Sequence, residues 1–361
     1  MSFRKAQVHS QFNWLFVLIV GGFFIILFFT MSTRQADSAQ QRISATALEG
    51  ISNIFEAART GTSMSATVDI PDIEIKFSCE NELFGDNTYS EYRVGGFSRR
   101  IDALPTFAPG NLEGDNLVTW TQSWEMPFNV MNFLLITNEQ TRFFFVKNDD
   151  FSDIYEDIEN SFSDNMKVEF VDSIDDDRFA DFNDDFSIVV LFSEDDEDPD
   201  DLDAIDETFS GFYRVVQITP DRDMFGTINF YEDAAHVSEI KYAGRASLYG
   251  ALFSPDKEYY DCSMSKAMER FVRVSCIYNQ KHRSLADYYS SDAQCVSVYD
   301  RVLDIFRELH GDDFCAQTSD GIELSDASIE IDEDYGKLKD FFFALESAYD
   351  DARRHSCARP Y

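Results

Sequence analysis

Residues 12–31 read FNWLFVLIVGGFFIILFFTM, and this stretch decides how the rest of the chain is placed. It contains no charged residue, and Asn13 is its one strongly polar side chain. An α-helix of ~20 residues rises about 30 Å, the hydrocarbon thickness of a bilayer. The stretch therefore predicts a transmembrane helix in contact with lipid. A cleaved signal peptide would have a shorter apolar region and a small-residue cleavage site, and the sequence MSTR at 31–34 offers none.

The charges around this span predict its orientation. Residues 1–11 form a short basic tail with Arg4 and Lys5, whereas Arg34, Asp37 and Arg42 follow the span. Positive charge favours the cytoplasmic side of a membrane. We therefore expect a cytoplasmic N-terminus and an extracytoplasmic C-terminal domain.

The segment before the span has a second interpretation. Arg4-Lys5-Ala6-Gln7, with Ser10 four residues into the apolar helix, resembles the class III signal of archaeal prepilins. That resemblance implies processing between Ala6 and Gln7 and a pilus protein as partner. Pilins carry an acidic residue one position after this Ser, where it pairs with the amino terminus of the next subunit. Here Gln11 occupies that position.

Periodicity predicts two regions directly after the span. Residues 35–59 continue as an amphipathic helix with one apolar stripe: Ile43, Ala47, Leu48, Ile51, Ile54, Phe55 and Ala58. Residues 66–250 change to short apolar or alternating runs that are typical of strands. Residues 142–172 read as strand, helix and strand, a βαβ unit. We expect an α/β domain with a mixed sheet here, and an α+β or α/β chain as a whole.

Residues 256–361 predict a three-helix module that contains most of the cysteines. The first helix is expected to start at Asp261, the second to end at Gly311, and the third to run from Asp332 to His355. Acids at the start and bases at the end of the third helix match the helix dipole. Glycine after the second is the usual left-handed cap.

The composition excludes one class of partner and indicates an environment. The formal net charge is −37, from 67 Asp and Glu against 30 Lys and Arg. Such a surface repels phosphate backbones, so we expect no nucleic-acid binding. The acids are mainly Asp and lysine is scarce, as in proteins that work in molar salt. An acidic extracellular protein in ordinary salt is the alternative.

Six cysteines in a translocated domain predict disulfides. If the three helices are antiparallel, Cys262 lies level with Cys315, and Cys357 approaches Cys295. Cys79 and Cys276 are then paired or free. A rival pairing of Cys79 with Cys262 would join the two domains.

One acidic segment has the spacing of a calcium loop. Asp196, Asp198, Asp200 and Glu207 match loop positions 1, 3, 5 and 12. Asp201 replaces the glycine that the sharp turn needs, and a strand precedes the segment. Calcium is therefore the one cofactor considered, and a solvated acidic loop is the alternative.

Cationic residues cluster on the first helix of the module. Lys266, Arg270 and Arg273 share a face at i, i+4 and i+7. They form a candidate docking face for an acidic partner or surface glycan, unless they pair with acids of the same chain. Ser263 and Lys266 also form an S-x-x-K motif, but the K-T-G strand of penicillin-recognising enzymes is absent.

The order of regions, with the motif YDCSMSKA at 260–267, resembles uncharacterised membrane-anchored archaeal proteins. That resemblance implies a membrane-anchored topology and implies no catalytic activity. The expected function is a membrane-anchored envelope protein with a binding or structural ectodomain. A prepilin-like pilus subunit is the first alternative, and an ectoenzyme without a recognised motif is the second.

Overall fold

The computed structural model describes residues 3–58, 61–81, 88–101, 104–173, 186–194, 199, 202, 205, 212–222, 224–232, 235–311, 315–318, 321–324 and 329–358. Within these residues the chain forms an N-terminal apolar helix, mixed sheets and a C-terminal group of helices. This is the α+β architecture with an N-terminal helix that the sequence predicts.

The described helices and strands follow this order. The helices are α1 (Phe3–Ala58), α2 (Ser152–Ser161), α3 (Arg245–Phe253), α4 (Lys257–Tyr288), α5 (Ala293–His310) and α6 (Ile331–Arg354). The strands before α2 are β1 (Ser65–Asp69), β2 (Ile75–Asn81), β3 (Thr88–Val94), β4 (Phe97–Ile101), β5 (Thr106–Phe107), β6 (Asn111–Leu112), β7 (Asn116–Glu125), β8 (Asn129–Thr137) and β9 (Thr141–Val146). Those after it are β10 (Lys167–Val171), β11 (Phe186–Phe192), β12 (Tyr213–Arg222), β13 (Phe225–Glu232), β14 (Ala235–Ala243), β15 (Cys315–Thr318) and β16 (Gly321–Leu324).

Helix α1 is continuous from the apolar stretch into the folded domain. Its segment Phe16–Thr33 has a mean hydropathy of 2.4, and none of it is buried inside the protein. By length and composition this segment can cross a membrane. At 1.5 Å per residue, the 56 residues of α1 extend about 84 Å.

The C-terminal part of α1 packs on the antiparallel sheet β4-β3-β2-β6. Ala47, Ile51 and Phe55 of the predicted apolar stripe are buried there, whereas Ile43 is 41% exposed. The Tyr92 hydroxyl donates to the Leu48 carbonyl oxygen over 2.9 Å. Gly95, at φ +58°, lets the β3–β4 turn approach α1, since a Cβ there would lie 2.9 Å from the hydroxyl oxygen of a serine in α1. The sequence did not predict β3 and β4.

A six-stranded sheet of order β10-β9-β11-β12-β13-β14 forms the centre of the domain. Strands β10, β9, β11 and β12 are parallel, and β13 and β14 are antiparallel to their neighbours. β9, α2 and β10 form the predicted βαβ unit. A second four-stranded sheet has the order β1-β7-β8-β5 and packs beside it through α3.

Helices α4, α5 and α6 are the three predicted helices. Helix α4 begins at Lys257, four residues before the predicted start, because Asp256 accepts a hydrogen bond from the Tyr259 N–H at 2.8 Å and caps it. Gly311 ends α5 at φ 85°, as predicted. The hairpin β15–β16 lies between α5 and α6.

One hydrophobic core crosses the boundary predicted near 250–256. It joins residues of β7–β9 and β11–β14 to α3–α6. Trp124 in β7 donates to the Ala243 carbonyl oxygen at 2.7 Å, within this core. Buried Arg214 in β12 donates to the carbonyl oxygens of Leu252, Ser254 and Pro255, so its guanidinium caps the C-terminus of α3. Burial lowers the pKa of Arg214 to about 10, which leaves it charged at neutral pH.

All six cysteines lie in pairs at bonding distance. Cys295 pairs with Cys357, as predicted, with Cα atoms 5.6 Å apart. The predicted pairing of Cys262 with Cys315 is wrong. Cys262 is bonded to Cys79, the rival pairing, and Cys315 is bonded to Cys276. The start of α4 lies against β2 and β3, and this contact brings Cys262 to Cys79.

A buried histidine holds α4 to α6. The Nδ1–H of His282 donates to the Tyr278 carbonyl oxygen at 2.7 Å, and Nε2 accepts from the Tyr349 hydroxyl at 3.2 Å. Burial lowers the pKa of His282 to about 4, and burial also lowers the pKa of His310 to about 4. Both imidazoles are therefore neutral in the folded protein at neutral pH.

Acid should destabilise the fold through these two residues. Between pH 6.5 and pH 4 the unfolded state binds protons that the folded state excludes, so the free energy of unfolding falls by about 1.4 kcal/mol per pH unit for each histidine. Urea unfolding of the full chain in detergent, from about pH 6.5 to about pH 5.5, measures this slope while carboxylates stay mostly ionised. His282→Gln should roughly halve the slope, whereas His355→Gln, at an exposed position, should leave it unchanged. Equal slopes in all three proteins would contradict the assignment.

Candidate functional site

The calcium candidates Asp196, Asp198, Asp200 and Glu207 lie outside the described residues. In the part of the chain that the structure describes, no three Asp, Glu, His or Cys side chains are grouped as a metal ion requires. A calcium site stays a prediction from the sequence.

The acidic segment follows strand β11, which borders the point where the winding of the six-stranded sheet reverses. Helix α2 covers one face through Tyr155, which packs near Phe145, and Leu202 and Ile205 pack on the other face near Phe144. Strands β10 and β11 lie on opposite sides of β9. The chain therefore reverses its direction of winding between β9 and β11, and ligands of open α/β sheets bind outside the carboxyl ends of strands at such points.

The carboxyl ends of β9 and β11 are joined by one side chain. The Asn148 amide donates to the Phe192 carbonyl oxygen at 3.1 Å, and its own oxygen accepts from the Asp150 N–H. Lys147 lies 3.7 Å from Asp149. The described groups at this edge bond to one another, and none forms a catalytic pair.

The S-x-x-K motif is part of the interior. The Ser263 hydroxyl donates to the Thr106 carbonyl oxygen at 2.9 Å. The Lys266 ammonium donates to the Ser90 hydroxyl at 3.0 Å and to the Ile101 carbonyl oxygen at 3.1 Å. Both side chains are buried, and Lys266 is only 8% exposed. These contacts hold α4 to β3, β4 and the β5 segment, so the motif is structural.

The predicted docking face therefore needs correction. Lys266 is withdrawn from it because the sheet β4-β3-β2-β6 covers the first turns of α4. Arg270 and Arg273 lie beyond that contact and are exposed. No described carboxylate lies within ion-pairing distance of either, so the alternative of internal pairing finds no partner in the described residues.

The exposed face continues along α4 in a direction that the sequence analysis missed. At spacings of three and four residues it consists of Arg270, Arg273, Ile277, Lys281, Ser284 and Tyr288, which we call the α4 stripe. The same periodicity in the sequence could have revealed it. The Lys281 ammonium lies 4.7 Å from the centre of the Tyr278 ring. Ile277 is 44% exposed and Tyr288 is 79% exposed.

Two depressions among the described residues are candidates for an enzyme site. An open one at the α4–α5 hairpin is lined by Ser291, Asp300 and Arg301, and the Arg301 guanidinium is paired with Asp351 in α6 at 2.9 Å. A groove between α5 and α6 is lined by Leu309, Lys337 and Phe341 among others, and Lys337 is paired with Asp334. Among the described residues that line the two depressions, no serine hydroxyl is hydrogen-bonded to a carboxylate or a histidine.

Comparison with known proteins gives no relative. No protein-family model, no curated protein and no solved structure matches the chain.

Lys266 and Arg270 should differ sharply in their contribution to stability. Lys266→Ala leaves the buried Ser90 hydroxyl and Ile101 carbonyl without this donor, which should lower the free energy of unfolding by about 1–3 kcal/mol. Arg270→Ala, one turn further on an exposed surface, should change it by less than about 0.5 kcal/mol. Urea unfolding of the two variants and the parent checks the difference. An equal effect in both variants would return Lys266 to the docking face.

Proposed function

We propose that this chain is a single-pass membrane protein that holds an acidic binding or structural domain outside the cytoplasm. The observation that carries the proposal is the continuity of α1. Its apolar segment Phe16–Thr33 is covered by nothing in the described protein, whereas Ser44, Ala47 and Ile51 of the same helix are buried in the domain. A bilayer removes that apolar surface from water.

The proposed orientation has two independent supports. Arg4 and Lys5 precede the span, which favours a cytoplasmic N-terminus. The three cysteine pairs favour an oxidising compartment for the domain.

The anchor is connected to the domain without a loop. From Thr33 to Ser44 the helix is unbroken, and eleven residues rise about 16 Å. In the proposed arrangement the domain stands at a set height above the bilayer. A fixed height suits a protein that presents or organises a binding surface. A protein that must reach partners at variable distances would need a flexible linker instead.

A prepilin-like filament subunit is the second candidate, and the shape of α1 favours it. One helix exposes an apolar first part and packs an amphipathic second part on an antiparallel sheet. The apolar part could be covered by copies of itself as well as by lipid. The motif Arg4-Lys5-Ala6-Gln7 supports processing, whereas Gln11 lacks the charge that would pair with a neighbouring amino terminus. An ectoenzyme is the third candidate, since no serine hydroxyl in the described depressions is hydrogen-bonded to a base.

Protease treatment of intact cells should digest the domain. Digestion without permeabilisation is expected because the domain lies outside, and permeabilised cells provide the control for protease access. Full protection in intact cells, with digestion after permeabilisation, would contradict the orientation.

Mass measurement of the N-terminal peptide from the same sample separates the first two candidates. A start at Met1 or Ser2 indicates a plain anchor, and a start at Gln7 indicates the prepilin route.

The same chain should need salt for stability. Residues 194–207 alone carry ten carboxylates, and the whole chain has 37 more acids than bases. The Debye length falls from ~30 Å at 0.01 M to ~3 Å at 1 M salt, which confines their repulsion to near contact. The thermal midpoint of the full chain in detergent should rise between about 0.1 and about 3 M KCl. A flat or falling midpoint would remove the salt-adapted interpretation.

A further inference from the structure

The α4 stripe is unusual because its cations have no acidic partner among the residues that the structure describes. Arg270, Arg273 and Lys281 point outward along about 17 Å of helix. Within the described residues, no carboxylate lies at ion-pairing distance from any of the three, although Glu269 and Asp287 border the stripe. In a protein with more than twice as many acids as bases, a patch of cations without a described acidic partner differs from the average surface.

Many other cations of the domain do pair. Arg142 contacts Glu169 at 2.9 Å, and Lys257 contacts both Asp261 and Asp332. Arg301, on the neighbouring helix α5, contacts an acid of α6. Pairing therefore occurs where α4, α5 and α6 meet, whereas the residues of the stripe are exposed.

The stripe also exposes apolar surface. Ile277 lies between Arg273 and Lys281, and the ring of Tyr288 projects at the end of the helix. Arginine and tyrosine beside an aliphatic side chain are the residue types enriched where proteins bind one another. A purely electrostatic face for solvent ions would not need them.

We propose that the α4 stripe binds the acidic surface of a second copy of this chain. Every copy carries a net charge of −37, so each offers the complementary charge that its own stripe lacks. Two stripes cannot face each other, because their cations would repel. The contact is therefore heterologous, stripe to acidic surface, and repeats from copy to copy as an open row. The inference rests on the proposed anchoring in one respect only: anchored copies share a plane and an orientation.

Photo-crosslinking of the full chain tests this directly. A photo-crosslinking amino acid replaces Ile277 in the stripe, and in a matched control it replaces Val237, which is also exposed but lies on β14. Isotopically light and heavy chains are mixed before illumination. Position 277 should give light–heavy dimers whose second peptide is rich in Asp and Glu, and position 237 should give few.

Three outcomes would overturn the proposal. They are crosslinks within one copy only, crosslinks from position 277 to a different protein, and equal dimer yields from positions 277 and 237. The measurement is made in membranes and in detergent. Dimers in detergent support the stripe even if the anchoring proposal fails, whereas their absence in both settings rejects the stripe alone.

Charge reversal provides a second test that changes no apolar contact. The double variant Arg270→Glu, Arg273→Glu should weaken self-association, measured by sedimentation in detergent, by roughly tenfold or more, since contacts between opposite charges become repulsive. The control Lys76→Glu, Lys147→Glu makes the same change in net charge at exposed positions elsewhere. Both variants must keep the three disulfides. Equal weakening in both variants would show a general charge effect and reject the stripe.

Discussion

The contact between α1 and the sheet β4-β3-β2-β6 is the interaction on which the rest of the structure depends. Ile51 and Phe55 bury the helix, and Tyr92 bonds its backbone at Leu48. Because α1 is a continuous helix from its apolar part to this contact, the apolar part and the domain are joined without a loop. The Cys79–Cys262 disulfide extends the same connection from β2 to α4, and α4 in turn packs on α5 and α6.

The basic side chains of this protein fall into groups that differ in burial and in hydrogen-bond or ion-pair partners. Lys266 and Arg214 are buried, and their terminal nitrogens donate to backbone carbonyl or hydroxyl oxygens. Cations between elements, such as Lys257, pair with carboxylates. Arg270 and Arg273 have neither environment in the described structure. Most acidic side chains among the described residues are exposed, so the domain combines a strongly repelling surface with a core rich in aromatic rings. Salt screens the repulsion between the surface carboxylates without weakening the hydrophobic packing of the core.

The sequence predicted elements where hydrophobic periodicity is strong and failed where tertiary contacts decide. The apolar span, the βαβ unit and the three C-terminal helices each carry a long periodic signal. The β3–β4 hairpin does not, because Arg99 and Arg100 face outward and its apolar side is shared with α1. The pairing of Cys295 with Cys357 follows from antiparallel helices. That of Cys79 with Cys262 follows from a contact between regions 183 residues apart, which helix geometry alone cannot supply. Asp261 has the composition of a helix cap, but Asp256 precedes it and takes that role.

The cations of α4 also show that sequence periodicity alone cannot predict tertiary contacts. Helical periodicity places Lys266, Arg270 and Arg273 on one face, and that much is right. Periodicity cannot say where a neighbouring sheet ends, and here it ends between Lys266 and Arg270. One turn of helix therefore separates a buried lysine that holds α4 to the sheet from an exposed arginine. A rigid α1 would place such surfaces of neighbouring anchored copies at the same height, so little orientational freedom would remain to be lost when they meet. Weak contacts between individual charges are then enough for association, provided that several form together.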